Sequence, residues 1–196
     1  MKYLSETCLK HEPEVAVILI IDLEATCADD GSIAPEQMEI IEVGAVWATP
    51  SGEVVDRFQS FVRPVDRPYL TDFCSSLTQI EQADVDHAPC WLAVAKSLSE
   101  FATRQVGQCW GSWGKYDARQ IERECARHDV GDPLGRLQHV NLKASFAKRR
   151  RIKQVGMAKA LQIVGLPLDG THHRGLDDAL NVARLLPYLW SEENER

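Results

Sequence analysis

Val15-Ala16-Val17-Ile18-Leu19-Ile20-Ile21 runs directly into Asp22-Leu23-Glu24-Ala25-Thr26. A short unbroken apolar run, rich in β-branched residues, is the pattern of a strand buried on both faces. Such a strand is predicted over Val15–Leu23. Side chains alternate along a strand, so Asp22 and Glu24 project from one face. Two like charges side by side at the end of a core strand repel each other and lose hydration, a cost that a cation removes. A lone acid here would read as a cap, with Glu24 already in solvated loop. The pair, at this place, favours a metal site.

Downstream, Glu39–Ala48 and Val54–Val62 read as a hairpin around the turn residues Thr49-Pro50-Ser51-Gly52. Thr78 with Glu81 three residues later reads as a capping box opening a short helix. A helix after Pro89 to about Arg104, a glycine-rich strand over Val106–Trp113 and a helix over Tyr116–His128 follow. Next come a short strand at His139–Asn141 and helices near Leu142–Ala147, over Met157–Val164 and from about Leu176 to Trp190. Three strands and then alternating helices and strands give an α/β fold, a mixed sheet with helices on its faces.

The last helix carries a second clue. At about 100° per residue, Leu176, Ala179, Leu180, Val182, Ala183, Leu185, Leu186 and Leu189 form a wide apolar arc. Asp177, Asn181, Arg184 and Tyr188 fall on the opposite side, where solvated residues are expected. Asp178 lies between Leu185 and Leu189 and is aimed at the protein body, as a metal ligand or as a buried acid paired with an Arg. Asp117, at the start of the Tyr116 helix, is placed either to cap that helix or to join a metal site. His172-His173 precedes the last helix. Histidine transfers protons near neutral pH, and adjacent residues point in different directions, so at most one of the two is expected to act.

The chain has 196 residues and a formal net charge of −7. No Asp or Glu lies between Asp132 and Asp169, a stretch holding Arg136, Lys143, Lys148, Arg149, Arg150, Arg151, Lys153 and Lys159. That segment is +8 and the rest −15, so one anion-binding face on an acidic body is expected, nucleic acid being the usual anion at that scale. A solvated basic surface is the plainer alternative. No stretch is long enough for a membrane span. Met1–Glu14 has no apolar core of a secretory signal, and the six cysteines show no close pairing. Reduced thiols in a cytoplasmic protein are therefore expected.

Taken together, Asp22-Leu23-Glu24-Ala25-Thr26, Trp113-Gly114-Lys115-Tyr116-Asp117 and His173-Arg174-Gly175-Leu176-Asp177-Asp178 resemble the three motifs of the DnaQ-like DEDDh 3′-to-5′ exonucleases. Cys27 after the first motif, Glu39-Ile40-Ile41-Glu42, Phe61-Val62-Arg63-Pro64 and Thr71-Asp72-Phe73-Cys74 with Leu77-Thr78 resemble the branch of histone-mRNA and small-RNA trimming exoribonucleases. Gln79 departs from the branch, which often has Gly after Leu-Thr. The resemblance implies a ribonuclease H-like mixed sheet of about five strands with helices on both faces. It implies a single exonuclease domain over 1–196, with 1–14 as an N-terminal extension and no room for the branch's accessory domain.

By motif position, the resemblance makes Asp22, Glu24, Asp117 and Asp178 the metal-binding acids and His173 the general base. It makes Phe73 an aromatic that stacks on a base near the 3′ end, and Ala25 and Thr26 substrate contacts beside it. Lys148 and Arg149 of the basic segment are expected on the phosphate backbone. Hard oxygen ligands favour two Mg²⁺, with Mn²⁺ possible in their place. Asp22 would bridge both ions, Glu24 and Asp178 would complete one site, and Asp117 would support the other. The implied reaction is hydrolysis of single-stranded nucleic acid, RNA 3′ ends first, releasing 5′-mononucleotides. A DNA exonuclease of repair or proofreading type, and a binding module without catalysis, are the alternatives.

Overall fold

The computed structural model describes residues 16–189. The expected extension over 1–14, Val15 and Trp190 lie outside the described residues. Five strands form one sheet: β1 (Ile18–Ala25), β2 (Ile40–Ala48), β3 (Val54–Phe61), β4 (Cys109–Ser112) and β5 (Gln138–Asn141). Their spatial order is β3-β2-β1-β4-β5, antiparallel across β3, β2 and β1 and parallel across β1, β4 and β5. Seven α-helices accompany them: α1 (Asp72–Thr78), α2 (Gln82–Asp86), α3 (Trp91–Ala102), α4 (Tyr116–His128), α5 (Leu142–Arg150), α6 (Met157–Ile163) and α7 (Gly175–Leu185).

The apolar run becomes the central strand because its two faces feed two cores. Leu19, Ile21 and Leu23 pack with Trp91, Leu98 and Phe101 of α3 and Ile121 of α4. Ile18 and Ile20 pack on the other face with Phe146 of α5, Leu161 of α6 and Val182 and Leu185 of α7. Asp22 and Glu24 have the parity of Ile18 and Ile20, so they stand on the α7 face. β1 extends through Ala25, beyond the expected end at Leu23, and Glu24 is buried in the strand rather than in a loop. β3, at the sheet edge, largely alternates half-buried and exposed positions.

One contact sets how α7 meets this sheet. Gly44 of β2 lies opposite Asp22 in the register. A Cβ on Gly44 would fall 2.0 Å from the carbonyl carbon of Gly175, the first residue of α7. Backbone therefore packs on backbone, and the first turn of α7 rests directly on the sheet beside Asp22.

Two local expectations are corrected. Thr78 does not open a helix; it ends α1, its hydroxyl donating to the Cys74 carbonyl and accepting from the Ile80 amide. The capping box lies three residues on, where the Asp84 carboxylate accepts from the Glu81 amide at the start of α2. α1, which has no counterpart in the sequence reading, is capped by Thr71, whose hydroxyl accepts from the Cys74 amide. Asn181 is buried rather than solvated, because its amide group donates to the Asp169 and Asp177 carbonyls and ties the incoming loop to α7. Cys27, Cys74, Cys90 and Cys125 are free thiols. Among the described residues no helix is long and apolar enough to cross a membrane.

Gly44→Ala is expected to cost about 3 kcal/mol or more, because backbone on both sides must move. Gly131→Ala, where a Cβ meets nothing within 4 Å, should change stability by less than about 0.5 kcal/mol. Urea unfolding of the two variants checks the pair.

Candidate active site

Three elements bring four acids together at the carboxyl end of β1. Asp22 and Glu24 project from one face of the strand, and Asp178 arrives in the first turn of α7. One carboxylate oxygen from each of Asp22, Glu24 and Asp178 lies within 4.8 Å of the other two. Asp117, the second residue of α4, is buried, and its Oδ1 accepts from the Leu23 amide at 3.2 Å. That bond fastens the start of α4 to the strand between the two β1 acids. Asp177 is turned elsewhere: its Oδ2 accepts from the Thr171 amide at 2.7 Å.

Burial raises the proton affinity of all four acids, and crowding by neighbouring carboxylates adds to it at Asp22 and Glu24. Burial, followed by the charges of Asp117, Glu24, Asp178 and Glu42, pushes Asp22 well above the carboxylate range. Glu24 is pushed up to about 8, by burial first and then by Asp178, Glu42 and Asp117. Asp117 rises to about 6 through burial, held back by hydrogen bonds that include the Leu23 amide. Burial raises Asp178, against the opposing influence of His172. Oxygen donors this close, with no cationic side chain among the three converging oxygens, fit a hard divalent cation, which would return the acids to their ionised form.

The two histidines differ in what they touch. His172 Nδ1 is 2.8 Å from Asp178 Oδ2. His173 donates its backbone amide to the same oxygen at 3.2 Å, and its ring makes no hydrogen bond among the described residues. The two rings stack with centroids 3.9 Å apart. His173 has φ 64°, the left-handed region that a non-glycine residue enters only when its neighbours hold it there. Burial and the adjacent His172 depress the His173 pKa, so the imidazole is neutral near pH 7.

The expected substrate contacts are distributed unevenly. Phe73 is partly buried on α1, which is tied to the end of β1: Thr71 donates its hydroxyl to the Cys27 carbonyl at 2.6 Å, and Cys74 Sγ lies 3.7 Å from the Ala25 carbonyl. Ala25 and Thr26 are buried, and the Thr26 hydroxyl accepts from the Glu39 amide, which commits it to the β1–β2 junction. Gln79 closes α1 at φ 56°, the conformation that Gly adopts without strain. Lys148 and Arg149 are exposed on the last turn of α5. Arg149 lines a cavity of about 420 Å³ with Arg150, Pro187 and Tyr188. Arg149 thus stands beside the segment that follows α7, whereas Asp178 lies in the first turn of that helix. The segment after α5 is tied to the residue that follows β4, because Trp113 Nε1 donates to the Val155 carbonyl at 3.0 Å.

Two further buried acids escaped the sequence reading of the site. Glu42 of β2 accepts from Arg174 and from the Gly175 amide. Glu39 accepts from the amides of Val65, Asp66 and Arg67 and so holds that loop. The available signal was an acid within an otherwise apolar strand, where burial demands a partner. Glu39 also approaches Glu124 and His128. Glu124 already accepts from the Ile40 amide, Arg127 and His128, so this second cluster has an internal structural role.

Known proteins agree with this geometry. The family model described as exonuclease, RNase_T, matches residues 19–186. The human protein ERI1 exoribonuclease 2 is 34% identical over 190 residues, covering 86% of this chain and 27% of its own length. The probable 3′-5′ exonuclease KapD of Bacillus subtilis is 33% identical over 172 residues, covering 86% of this chain and 82% of its own. Thus the chain spans about a quarter of the first relative and most of the second. The solved nuclease domain of 3′hExo, a DEDDh family member bound to rAMP, superposes with a TM-score of 0.79 at 30% identity, covering 86% of this chain and 88% of that one. The acids at the end of β1, the acid opening α4 and the acid in the first turn of α7 thus lie on a fold shared with these nucleases, and the chain belongs to the RNase_T exonuclease family.

Proposed function

We propose that this chain is a metal-dependent 3′-to-5′ exonuclease that hydrolyses single-stranded RNA and releases 5′-mononucleotides. The convergence of Asp22, Glu24 and Asp178 within 4.8 Å carries the reading. Family membership supports the exonuclease class, and relatives named exoribonucleases support RNA as substrate. Two Mg²⁺, or Mn²⁺, are the ions that best suit an all-carboxylate set. Asp22, Glu24 and Asp178 would hold one, and Asp22 with Asp117 the other. When bound, such ions lower the pKa of water and offset charge building on the phosphoryl oxygens.

The protein's own groups supply the rest. His173 is the general base: its ring nitrogens make no hydrogen bond among the described residues, whereas His172 Nδ1 is spent on Asp178. A neutral imidazole can accept the proton of the attacking water. His172 orients Asp178. Phe73 stacks on the terminal base, with Ala25 and Thr26 shaping the adjoining wall. Stacking tolerates any base, which suits a trimming enzyme. Lys148 and Arg149 would meet phosphates of the strand upstream of the cut end.

Asp22→Ala should lower metal-dependent release of nucleotide from a 3′-labelled RNA by at least about 10³-fold; undiminished cutting would sink the assignment. His173→Ala should lose about 10²–10⁴-fold in turnover while metal affinity is kept, and His172→Ala should lose less. Equal losses would contradict the division of roles. Matched RNA and DNA strands digested side by side should favour RNA, since the 2′-OH is what separates them.

A pH prediction follows from the acids. Glu24, at about 8 in the folded chain against 4.5 ordinarily, binds its proton more tightly when folded. Without metal, stability should therefore fall as pH rises from about 5 to 8. The raised Asp22, Asp117 and Asp178 act in the same direction. Melting curves in a chelator should show Tm declining over that window, and Mg²⁺ or Mn²⁺ should raise Tm more at pH 8 than at pH 5. A Tm indifferent to metal at pH 8 would contradict the cation site.

A further inference from the structure

We infer that Glu42, acting through Arg174 and the Gly175 amide, is the positioning residue that fixes where the His173 ring stands. The inference rests on His173 being the base of the proposed reaction. His173 occupies a left-handed conformation, φ 64°, which is uncommon for a non-glycine residue. It persists because both sides of the residue are held. On one side, its own amide is bound to Asp178 Oδ2 at 3.2 Å. On the other, Arg174 Nε and Nη2 reach Glu42 at 3.1 and 3.2 Å, and the Gly175 amide reaches Glu42 Oε2 at 3.0 Å.

Glu42 is built for this task. It has no solvent exposure, so its charge must be met by partners. Gln59 Nε2 donates to Oε1 at 2.6 Å, and Arg174 and Gly175 complete the set. A fork of two parallel bonds to a guanidinium fixes direction as well as distance. The Arg174 guanidinium also lies over the Phe61 ring, 5.4 Å from its centroid, and Phe61 is the β3 partner of Glu42. On the other side, Glu42 is paired across the sheet with Glu24. One strand register thus places a metal-facing acid on β1 and the anchor of the base-bearing loop on β2.

The test uses the full chain with Glu42→Gln, and Arg174→Met in case the buried change impairs folding. Each should lower kcat on 3′-labelled RNA by about 10²-fold while KM and Mn²⁺ affinity stay within about threefold, and Arg174→Lys should recover part of the loss. The decisive comparison is a double-mutant cycle. In a His173→Ala background, Glu42→Gln should lower the residual kcat no further, because the group it positions is gone. An equal loss in both backgrounds, or a fall in Mn²⁺ affinity that matches the fall in kcat, would overturn the inference and leave Glu42 a merely structural residue. If the parent chain releases no nucleotide with either metal, the functional reading fails instead. The clamp is then read from amide hydrogen exchange at His173, which should quicken at least about tenfold in Glu42→Gln; unchanged exchange would overturn it.

Discussion

Everything at the site depends on the contact of bare backbone between Gly44 and Gly175. A sheet and a helix normally meet through side chains, which hold them well apart. Here the first turn of α7 lies on β2 with no side chain between them. The short gap places Asp178 among Asp22 and Glu24 rather than a layer away. The same turn carries the Gly175 amide to Glu42 and sets the path of Arg174 and His173.

The acids themselves oppose this arrangement. Burial raises the proton affinity of all four carboxylates, and the neighbouring acids push Asp22 and Glu24 up further. The scaffold tolerates it because the rest of β1 is so thoroughly packed: Leu19, Ile20 and Ile21 have no solvent exposure. Asp117 adds a structural service by bonding the Leu23 amide. Other buried acids meet their need internally, Glu39 with three loop amides and Glu42 with a guanidinium. The acids at the carboxyl end of β1 and on the first turns of α4 and α7 are met, among the described residues, by His172, the Ser112 side chain and backbone amides such as those of Leu23 and His173. That contrast distinguishes the acids that hold the fold from those available to a cation.

Periodicity made the scaffold legible. The bounds expected for α4 match those observed, Tyr116–His128, and the β2–β3 hairpin differs by one residue at its outer ends. The apolar arc of the last helix aimed Asp178 inward before any resemblance was considered. Short or partner-dependent features were not legible. α1 has seven residues, too few for a helical period to show, and its Thr71 cap becomes evident only once the Cys74 amide is in place. Asn181 looked solvated because a helical projection records polarity and not the carbonyls that approach from a loop. The strand at Cys109–Ser112 is shorter than the glycine-rich stretch Val106–Trp113 expected for it, with Val106 80% exposed before it. Glu42 was hidden inside a family motif, and its partner lies 132 residues away.

The order of the elements has a consequence for synthesis. Asp22 and Glu24 emerge from the ribosome within the first strand, and the β1–β2–β3 meander can close around them at once. β4, which must flank β1 on its other side, and α4 with Asp117 come roughly 90 residues later. Asp178 and both histidines come last. A nascent chain complete only to residue 170 therefore holds three of the acids but neither His173 nor the helix turn that seats on Gly44. The unfinished polypeptide has all five strands of the sheet while lacking the proposed base and the fourth acid, so the site is complete only once α7 has been translated.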